Sequence, residues 1–347
     1  MISPSIKVVV IAPTWLGDAV MSLPLIGFLA AAGGVRSTVI ARERPARVYG
    51  GIAEVSDLVV PLESRRCARI ESQRDTMRRI DPDGVVVLPP SFSTALAPFL
   101  AGVRIRAGFP SDARGVLLNA SLPATRLREE HLSRNYLRLG RLVLERLGAR
   151  ADHGFTVPRV KTTLADNETI GRFLREGGIS DEHAVVVPGA TYGPTKSWPR
   201  EKYRERVGLM SAEIQVVLGG SAAERDLCSF VGGGAGGALN LAGRTTLGEF
   251  MSLLEGARCV VANDSGAPHL AASLGVPVVV IFGSTSPVWT SPLGERVHVV
   301  SEPVHCSPCF RQRCPTNLEC YHGISVERVL ETARRAVKMG VDKKVSR

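Results

Sequence analysis

The chain has 347 residues, of which 44% are hydrophobic and 22% are charged. This length predicts two domains, each with its own core, and the composition excludes a generally disordered chain. The formal net charge is +10, and most of the excess lies in residues 1–160. Such an asymmetry predicts an acidic partner for the first half, namely nucleic acid, an anionic membrane surface or a phosphorylated substrate.

Two further features restrict the class of protein. The most apolar stretch, residues 8–35, contains Pro13, Asp18 and Pro24 and is therefore not expected to span a bilayer or to act as a signal peptide. The seven cysteines fit a reducing compartment, so we expect a cytoplasmic protein. Aromatic residues make up only 5% and do not alternate with the basic ones, which argues against nucleic-acid binding.

Short apolar runs alternate with amphipathic stretches throughout the first half. The predicted strands cover residues 7–12, 37–41, 57–61, 84–88 and 104–109, and the predicted helices cover residues 19–32, 45–52, 65–80, 93–101 and 127–147. This alternation predicts a doubly wound parallel sheet, closed by the last and longest helix. Residues 148–160 form the predicted linker.

The second half repeats this alternation. The predicted strands cover residues 183–188, 214–219, 239–242, 259–262 and 276–282, and the predicted helices cover residues 164–176, 200–211, 222–230, 247–256, 267–274 and 326–338. The glycine-rich stretch 232–237 has no strand directly before it and no helix directly after it. We therefore interpret it as a surface turn rather than a phosphate-binding loop.

The loop after the first strand, residues 13–18, brings one carboxylate to the carboxyl edge of the sheet, that of Asp18. The loop lacks the G-x-G-x-x-G pattern, so we do not expect a dinucleotide there. Asp18 lies where a side chain can act on a substrate. The alternative is that it only caps the following helix.

Residues 258–283 read as strand, loop, short helix and strand, with polar residues concentrated at the turn. The loop Asn263-Asp264-Ser265-Gly266 would open a helix whose unpaired amides can bind an anion, and His269 follows early in that helix. We therefore predict a phosphorylated ligand here. The alternative is that Asp264 and Ser265 merely cap the helix.

Three other loops leave the same predicted edge and carry hydroxyls, one ammonium and one carboxylate. Their candidate ligand-binding residues are Thr191, Thr195, Lys196, Glu224, Ser284 and Thr285. Hydroxyls and an ammonium can hold phosphate oxygens, whereas a carboxylate can accept from ribose hydroxyls. For Glu224 the alternative is a favourable position at a helix start. Together the loops predict a site for a nucleotide diphosphate.

Four blocks of this sequence resemble the ADP-heptose:lipopolysaccharide heptosyltransferases of glycosyltransferase family 9. They are P-T-W-L-G-D-A-V-M-S-L-P at 13–24, L-P-P-S-F-S-T-A-L-A-P-F at 88–99, P-G-A-T-Y-G-P-T-K-S-W-P at 188–199 and N-D-S-G-A-P-H at 263–269. Their order and spacing match over nearly the whole chain, and the first two blocks look more like the heptosyltransferase II branch than the heptosyltransferase I branch. The resemblance implies the α/β GT-B class, with two Rossmann-like doubly wound parallel-sheet domains facing each other across a cleft.

The resemblance also implies an activity and a division of labour. An acceptor-binding domain would cover residues 1–155, an ADP-heptose-binding domain residues 160–325, and a C-terminal helix and tail residues 326–347. The enzyme would transfer L-glycero-D-manno-heptose from ADP-heptose, with inversion, to the first heptose of the phosphorylated lipid A-core acceptor. It would work at the inner face of the inner membrane, in peripheral association with anionic lipid.

By the same resemblance, Asp18 would be the general base toward the acceptor hydroxyl. The remaining predicted residues would hold the donor: Lys196, Thr195, Asp264, Ser265, Gly266 and His269 its pyrophosphate, and Glu224 its ribose. No cofactor is implied for catalysis, because one ammonium and fixed dipoles would replace a metal ion.

Four cysteines lie close together near the end, at Cys306, Cys309, Cys314 and Cys320. Four thiols could close a tetrahedral structural zinc site, although the spacing departs from paired C-x2-C knuckles. The alternative is a reduced, partly buried loop. Alternatives also remain for the activity: heptosyltransferase I, a heptosyltransferase acting on protein, or a non-catalytic nucleotide-sugar-binding protein.

Overall fold

The computed structural model describes residues 5–63, 65–123, 127–150, 155–180, 182–234 and 237–341. The chain divides into two compact units, Met1–Val160 and Lys161–Arg347. The predicted linker at 148–160 and the predicted turn at 232–237 each include residues outside the described ranges, as does the end of the predicted tail.

The first unit is built on one parallel sheet. Its strands are β1 (Ile6–Ile11), β2 (Val35–Ile40), β3 (Asp57–Val59), β4 (Gly84–Val87), β5 (Ile105–Gly108) and β6 (Ala120–Ser121). Its helices are α1 (Leu16–Met21), α2 (Leu23–Ala31), α3 (Glu43–Gly50), α4 (Arg66–Ile80), α5 (Phe92–Leu100) and α6 (Leu132–Arg146), with a 3-10 turn at Arg114–Leu117. Among the described residues the strand order is β3-β2-β1-β4-β5-β6.

The second unit has the same architecture. Its strands are β7 (His183–Val187), β8 (Gln215–Leu218), β9 (Leu239–Asn240), β10 (Cys259–Asn263), β11 (Val278–Phe282) and β12 (Val297–Ser301). Its helices are α7 (Leu164–Glu176), α8 (Arg200–Ser211), α9 (Arg225–Gly232), α10 (Leu247–Gly256), α11 (Gly266–Ser273), α12 (Pro287–Thr290), α13 (Glu319–His322) and α14 (Val326–Val341). The described strands run in the order β12-β11-β10-β7-β8-β9.

The central strands are buried on both faces because helices cover each sheet. Val8–Ile11, Val85–Val87, Ala184–Val187 and Val278–Phe282 are all at most 5% exposed. Continuous runs of β-branched residues, rather than alternating ones, are what a parallel sheet between two helix layers requires. The predicted doubly wound fold of both halves is confirmed.

The start of the first unit differs from the prediction of one helix over residues 19–32. The structure has α1 and α2 there, separated at Ser22. Pro24 lies in the first turn of α2, where a missing N–H costs nothing but where no earlier helix can continue. Asp18 consequently lies inside α1 and not in the loop before a helix.

Other differences have equally local causes. The helix predicted from residue 127 begins at Leu132, because the ring of His131 caps it by accepting from the backbone N–H of Ser133 at 3.3 Å. The strands β6 and β12 and the short helices α12 and α13 were not predicted. The final helix packs against α8 and β10–β12 and so belongs to the second unit. In the described part of the chain no helix is long and apolar enough to cross a membrane.

Candidate active site

The strand order gives each sheet one switch point. β1 lies between β2 and β4. After β1 the next two strands are added on one side of it, and the later strands are added on the other side, beginning with β4. β7 and β10 are neighbours in the second sheet in the same way. Ligands of doubly wound sheets bind in the crevice at the carboxyl ends of such strands. Asp18 follows β1, Lys196 follows β7 and Asp264 follows β10.

Asp18 is half-buried in the first turn of α1, where backbone N–H groups favour a negative charge. Two buried tyrosines lie near it. Burial is the main cause that raises the pKa of Tyr49 and of Tyr136, and the negative charge of Asp18 raises both further. Both phenols therefore stay neutral beside the carboxylate. The Tyr49 hydroxyl lies 2.7 Å from the hydroxyl of Ser22, which ties α3 to the end of α1.

A buried arginine, Arg114, supports the neighbouring loops of the first unit. Its guanidinium donates to the carbonyls of Phe109 at 2.7 Å and Val87 at 3.4 Å, and also to that of Pro89. Burial lowers the pKa of Arg114 to about 10. The side chain thus joins the carboxyl ends of β4 and β5. Sequence reasoning missed it because an arginine after a strand normally reads as a surface residue.

Three of the predicted donor residues meet directly in the second unit. The Nζ atom of Lys196 lies 2.6 Å from Oδ2 of Asp264, and the Thr285 hydroxyl donates to the same oxygen at 2.6 Å. The Asp264 side chain is 3% exposed, whereas that of Lys196 is 18% exposed. The carboxylate therefore orients the ammonium from its buried side, and the ammonium keeps the partial exposure that binding an anion requires.

Two other predicted hydroxyls are used inside the protein. Thr195 is buried and donates to the carbonyl of Arg311 at 2.5 Å, and Ser284 is buried and donates to the carbonyl of Thr195 at 2.7 Å. In this structure they connect loops, in contrast to the phosphate contacts that the sequence predicts. Thr191 is exposed and belongs to the same loop as Lys196.

The start of α11 has the predicted form. Ser265 is the N-cap residue, its side chain makes no capping hydrogen bond, and Gly266 is the first helical residue. The backbone N–H groups of the first turn are thus not satisfied by the cap side chain, as an anion-binding helix start requires. His269 lies one turn further and is buried.

Glu224 has the role that the alternative interpretation assigns to it. Its Oε2 atom accepts from the backbone N–H of Ser221 at 2.6 Å and from the Ser221 hydroxyl at 2.8 Å, which completes a capping box. Its Oε1 atom lies against Gly189, where an added Cβ would overlap it. The carboxylate thus rests directly on the loop that follows β7, and its ribose role stays a prediction.

Sequence reasoning placed Asn263 in a loop but assigned it no role, whereas in the structure it connects the elements at the second switch point. Its side chain is fully buried, donates to the carbonyl of Pro188 at 2.6 Å, and accepts from the backbone N–H of Trp198 and the hydroxyl of Tyr203, both at 3.0 Å. Asn263 therefore holds both ends of the loop that carries Lys196. An asparagine next to Asp264 looks like a turn residue in the sequence, so its burial could not be predicted.

The four cysteines near the end differ widely in their exposure. Cys306 is exposed and Cys320 is buried, and Cys309 and Cys314 are intermediate. Burial raises the pKa of Cys320 to about 11, with the three other thiols adding to the effect. Nevertheless, the described residues include no group of three or more His, Cys, Asp or Glu side chains placed to hold a metal ion. The geometry gives the predicted zinc site no support.

Comparisons with known proteins agree with this architecture. The family model described as glycosyltransferase family 9 (heptosyltransferase) matches residues 71–321. Lipopolysaccharide heptosyltransferase 2 of Escherichia coli K12 is 29% identical over 85% of this chain and 87% of its own length. The protein of the same name from Salmonella typhimurium is 30% identical over the same shares.

A solved structure covers almost the entire chain. The ADP-heptose lipopolysaccharide heptosyltransferase II of Escherichia coli superposes with a TM-score of 0.78 and 26% identity, over 96% of this chain and 99% of that one. This match confirms the predicted GT-B fold class, and the family match spans both units. The chain therefore belongs to glycosyltransferase family 9, the heptosyltransferases.

Proposed function

We propose that this enzyme transfers L-glycero-D-manno-heptose from ADP-heptose to the first heptose of the lipopolysaccharide inner core. Two relatives named lipopolysaccharide heptosyltransferase 2 match over most of their length, which supports this choice of reaction. The observation that carries the proposal is the Lys196 ammonium, held by Asp264 at the switch point of the second sheet. A cation at such a position can bind the diphosphate of a nucleotide.

The second unit would bind the donor. Lys196 and the N–H groups at the start of α11 face the negative charge that grows on the leaving ADP as the glycosidic bond breaks. Asp264 and Thr285 keep the ammonium in place before the substrate arrives, so no reorganisation is needed during the reaction. Glu224, on the neighbouring loop, would accept hydrogen bonds from the ribose.

The first unit would supply the base. The acceptor hydroxyl oxygen attacks the anomeric carbon of the heptose, the bond from that carbon to the ADP oxygen breaks, and the proton passes to the carboxylate of Asp18. Attack from the face opposite the leaving group inverts the anomeric centre. A carboxylate is a weak base for a free alcohol, but here it receives the proton only as the new bond forms.

Further expectations about metal ions, the acceptor and the location complete the proposal. The reaction needs no metal ion, because the ammonium and the helix start supply the positive charge. The basic first unit, with its arginine-rich α4, fits a phosphorylated lipid A-core acceptor and peripheral contact with anionic lipid. The enzyme would then act at the cytoplasmic face of the inner membrane. The structural zinc stays a prediction, which metal analysis of the purified protein would test.

The test is a comparison of two acceptors in the presence of a chelator. The protein is incubated with ADP-heptose and either heptosyl-Kdo-lipid A or Kdo-lipid A, and the product masses are measured. We expect one heptose to be added to heptosyl-Kdo-lipid A only. Transfer to Kdo-lipid A instead would indicate heptosyltransferase I activity, and loss of turnover in chelator would contradict the metal-free mechanism.

A further inference from the structure

The segment 307–312, which we call the brace, contacts two of the loops that carry the candidate donor residues. The backbone N–H groups of Cys309 and Phe310 both donate to the carbonyl of Ser284, at 3.0 and 2.8 Å. The hydroxyl of Ser307 donates to the carbonyl of Gly283 at 2.6 Å. The brace is thereby attached to the loop that follows β11. Thr285, which contacts Asp264, lies in that loop.

The other side of the brace holds the loop that carries Lys196. The Tyr192 hydroxyl donates to the carbonyl of Phe310 at 3.0 Å, next to the contact of Thr195 with Arg311. Gly193 has a φ of 140°, and the carbonyl of Gln312 is 3.3 Å from where its Cβ would be. A glycine is therefore required for the loop to pass this close to the brace.

Phe310 is held in an unfavourable conformation at the centre of these contacts. Its φ is 55°, in the left-handed region that bulky residues rarely adopt. Its ring packs edge to face on Trp289, with 5.5 Å between the ring centroids. Strained residues of this kind persist where the surrounding contacts fix them, and they cluster at functional sites.

The same tyrosine also touches the lysine itself. The Nζ atom of Lys196 lies 5.2 Å from the centroid of the Tyr192 ring, within the range of a cation–π interaction. The ammonium thus has Asp264 at 2.6 Å and the Tyr192 ring as a second neighbour. The Tyr192 hydroxyl fixes that ring to the brace.

We propose that the brace positions Lys196 for the donor and that Tyr192 is the positioning residue through which it acts. This inference rests on the proposed role of Lys196 in binding the donor. It gives the brace, which contains Cys309, a role that does not require a metal. The backbone of the brace, and not its thiol, fixes the loop that carries Lys196 relative to the loop that carries Thr285.

Two substitutions separate the contacts. Tyr192→Phe removes the hydroxyl contact with the brace and keeps the ring, whereas Tyr192→Leu removes both. Thr332→Val is the matched control, because it removes a buried hydroxyl that donates to the Arg328 carbonyl at 2.7 Å within α14. The measurements are the KM for ADP-heptose, kcat, and the Kd for ADP by calorimetry.

We expect Tyr192→Phe to raise KM and Kd about fivefold with kcat within about twofold of the wild type, the size of one neutral hydrogen bond. Tyr192→Leu should raise both constants about 20-fold, because the cation–π contact is lost as well. Thr332→Val should leave them at the wild-type values. Wild-type KM and Kd in both Tyr192 variants would overturn the inference.

A double mutant tests whether Tyr192 acts through Lys196. If it does, Lys196→Met combined with Tyr192→Phe should bind ADP no more weakly than Lys196→Met alone. Additive losses would overturn the inference, since a general structural role predicts them. If Lys196→Met alone leaves ADP binding unchanged, the proposed donor site is wrong. If Lys196→Met weakens ADP binding but the Tyr192 variants do not, the proposed donor site is supported and the proposed role of the brace is wrong.

Discussion

The two switch points of this chain are built in different ways. Around Lys196, loops from β7, β10 and β11 are tied together by buried hydrogen bonds, so the ammonium has its position before any ligand binds. Asp18 lies on a six-residue helix directly after Trp15, whose side chain is 55% exposed. The difference indicates that the proposed donor site is organised by the fold before a ligand binds, whereas the proposed base, Asp18, lies on a short helix beside an exposed aromatic side chain.

We expect the largest effect, a loss of kcat, from a substitution of the proposed base, Asp18. Asp18→Asn keeps the size of the side chain but removes its ability to take a proton, and we expect kcat to fall about 1,000-fold with the KM for ADP-heptose unchanged. Initial rates with heptosyl-Kdo-lipid A measure this. Asp57→Asn is the control, because it removes a carboxylate from the same unit that pairs with Arg36 at the surface. Turnover of Asp18→Asn near the wild-type rate would exclude Asp18 as the base.

The second effect concerns the ion pair. Lys196→Met leaves Asp264 buried without its counter-charge, and we expect the free energy of unfolding to fall by about 3 kcal/mol together with donor binding. Adding Asp264→Asn should restore most of the stability, because the uncompensated charge is then gone, but not the binding. Urea denaturation and ADP titration of both variants separate the two roles. Recovery of binding in the double mutant would show that Lys196 does not contact the donor.

The third effect tests whether the second site is preorganised. Asn263→Ala leaves the polar groups of Pro188, Trp198 and Tyr203 without their shared partner, so we expect a loss of about 2 kcal/mol in unfolding free energy and weaker donor binding. Asn240→Ala removes hydrogen bonds at a half-buried position and should cost about 1 kcal/mol. Equal losses of unfolding free energy and donor binding in the two variants would contradict the proposal that Asn263 organises the donor site.

The smallest effect that we expect is a gain in the free energy of unfolding. Arg206 is fully buried, and within the described residues its Nε and Nη2 atoms have no hydrogen-bond partner. Burial is the main cause that lowers the pKa of Arg206 to about 10, so its charge costs the folded state free energy at neutral pH. Arg206→Met should therefore raise the free energy of unfolding by about 1 kcal/mol.

The pH dependence of that gain has a definite sign. A cation whose pKa is lowered on folding is penalised while it is protonated, and the penalty is relieved as the pH rises through the folded-state pKa. The advantage of Arg206→Met should thus be constant up to about pH 9 and should shrink above pH 10. Urea denaturation of both proteins at pH 8 and pH 10.5 tests this, and an advantage that grows with pH would contradict it.

The fold could be predicted from the sequence because its signal is local. Runs such as Val8–Ile11 and Val278–Phe282 are β-branched and bounded by turn residues, and parallel strands bring the loops after them to one edge. The same reasoning selected Lys196, Asp264 and Thr285, which the structure brings into contact, and also Asp18, whose role stays a prediction. The boundaries that differed depended on single residues, such as the cap made by His131 and the proline at position 24.

The contacts that hold the site could not be predicted, because they join residues far apart in the chain. Thr195 and Arg311 are separated by 116 positions, and Tyr192 and Phe310 by 118. No local pattern shows that a hydroxyl will turn toward a distant carbonyl rather than toward a ligand. Arg114 was missed for a different reason: an arginine after a strand reads as a surface residue, and its partners are backbone carbonyls and not a carboxylate.

The most direct test of the division of labour is ADP binding to two variants, one from each switch point, measured by calorimetry. If the second unit alone binds the donor and the first unit supplies the base, Asp18→Asn will bind ADP with the wild-type Kd. Lys196→Met will then bind ADP at least about 10-fold more weakly. Wild-type ADP affinity in Lys196→Met, or a large loss in Asp18→Asn, would contradict this account.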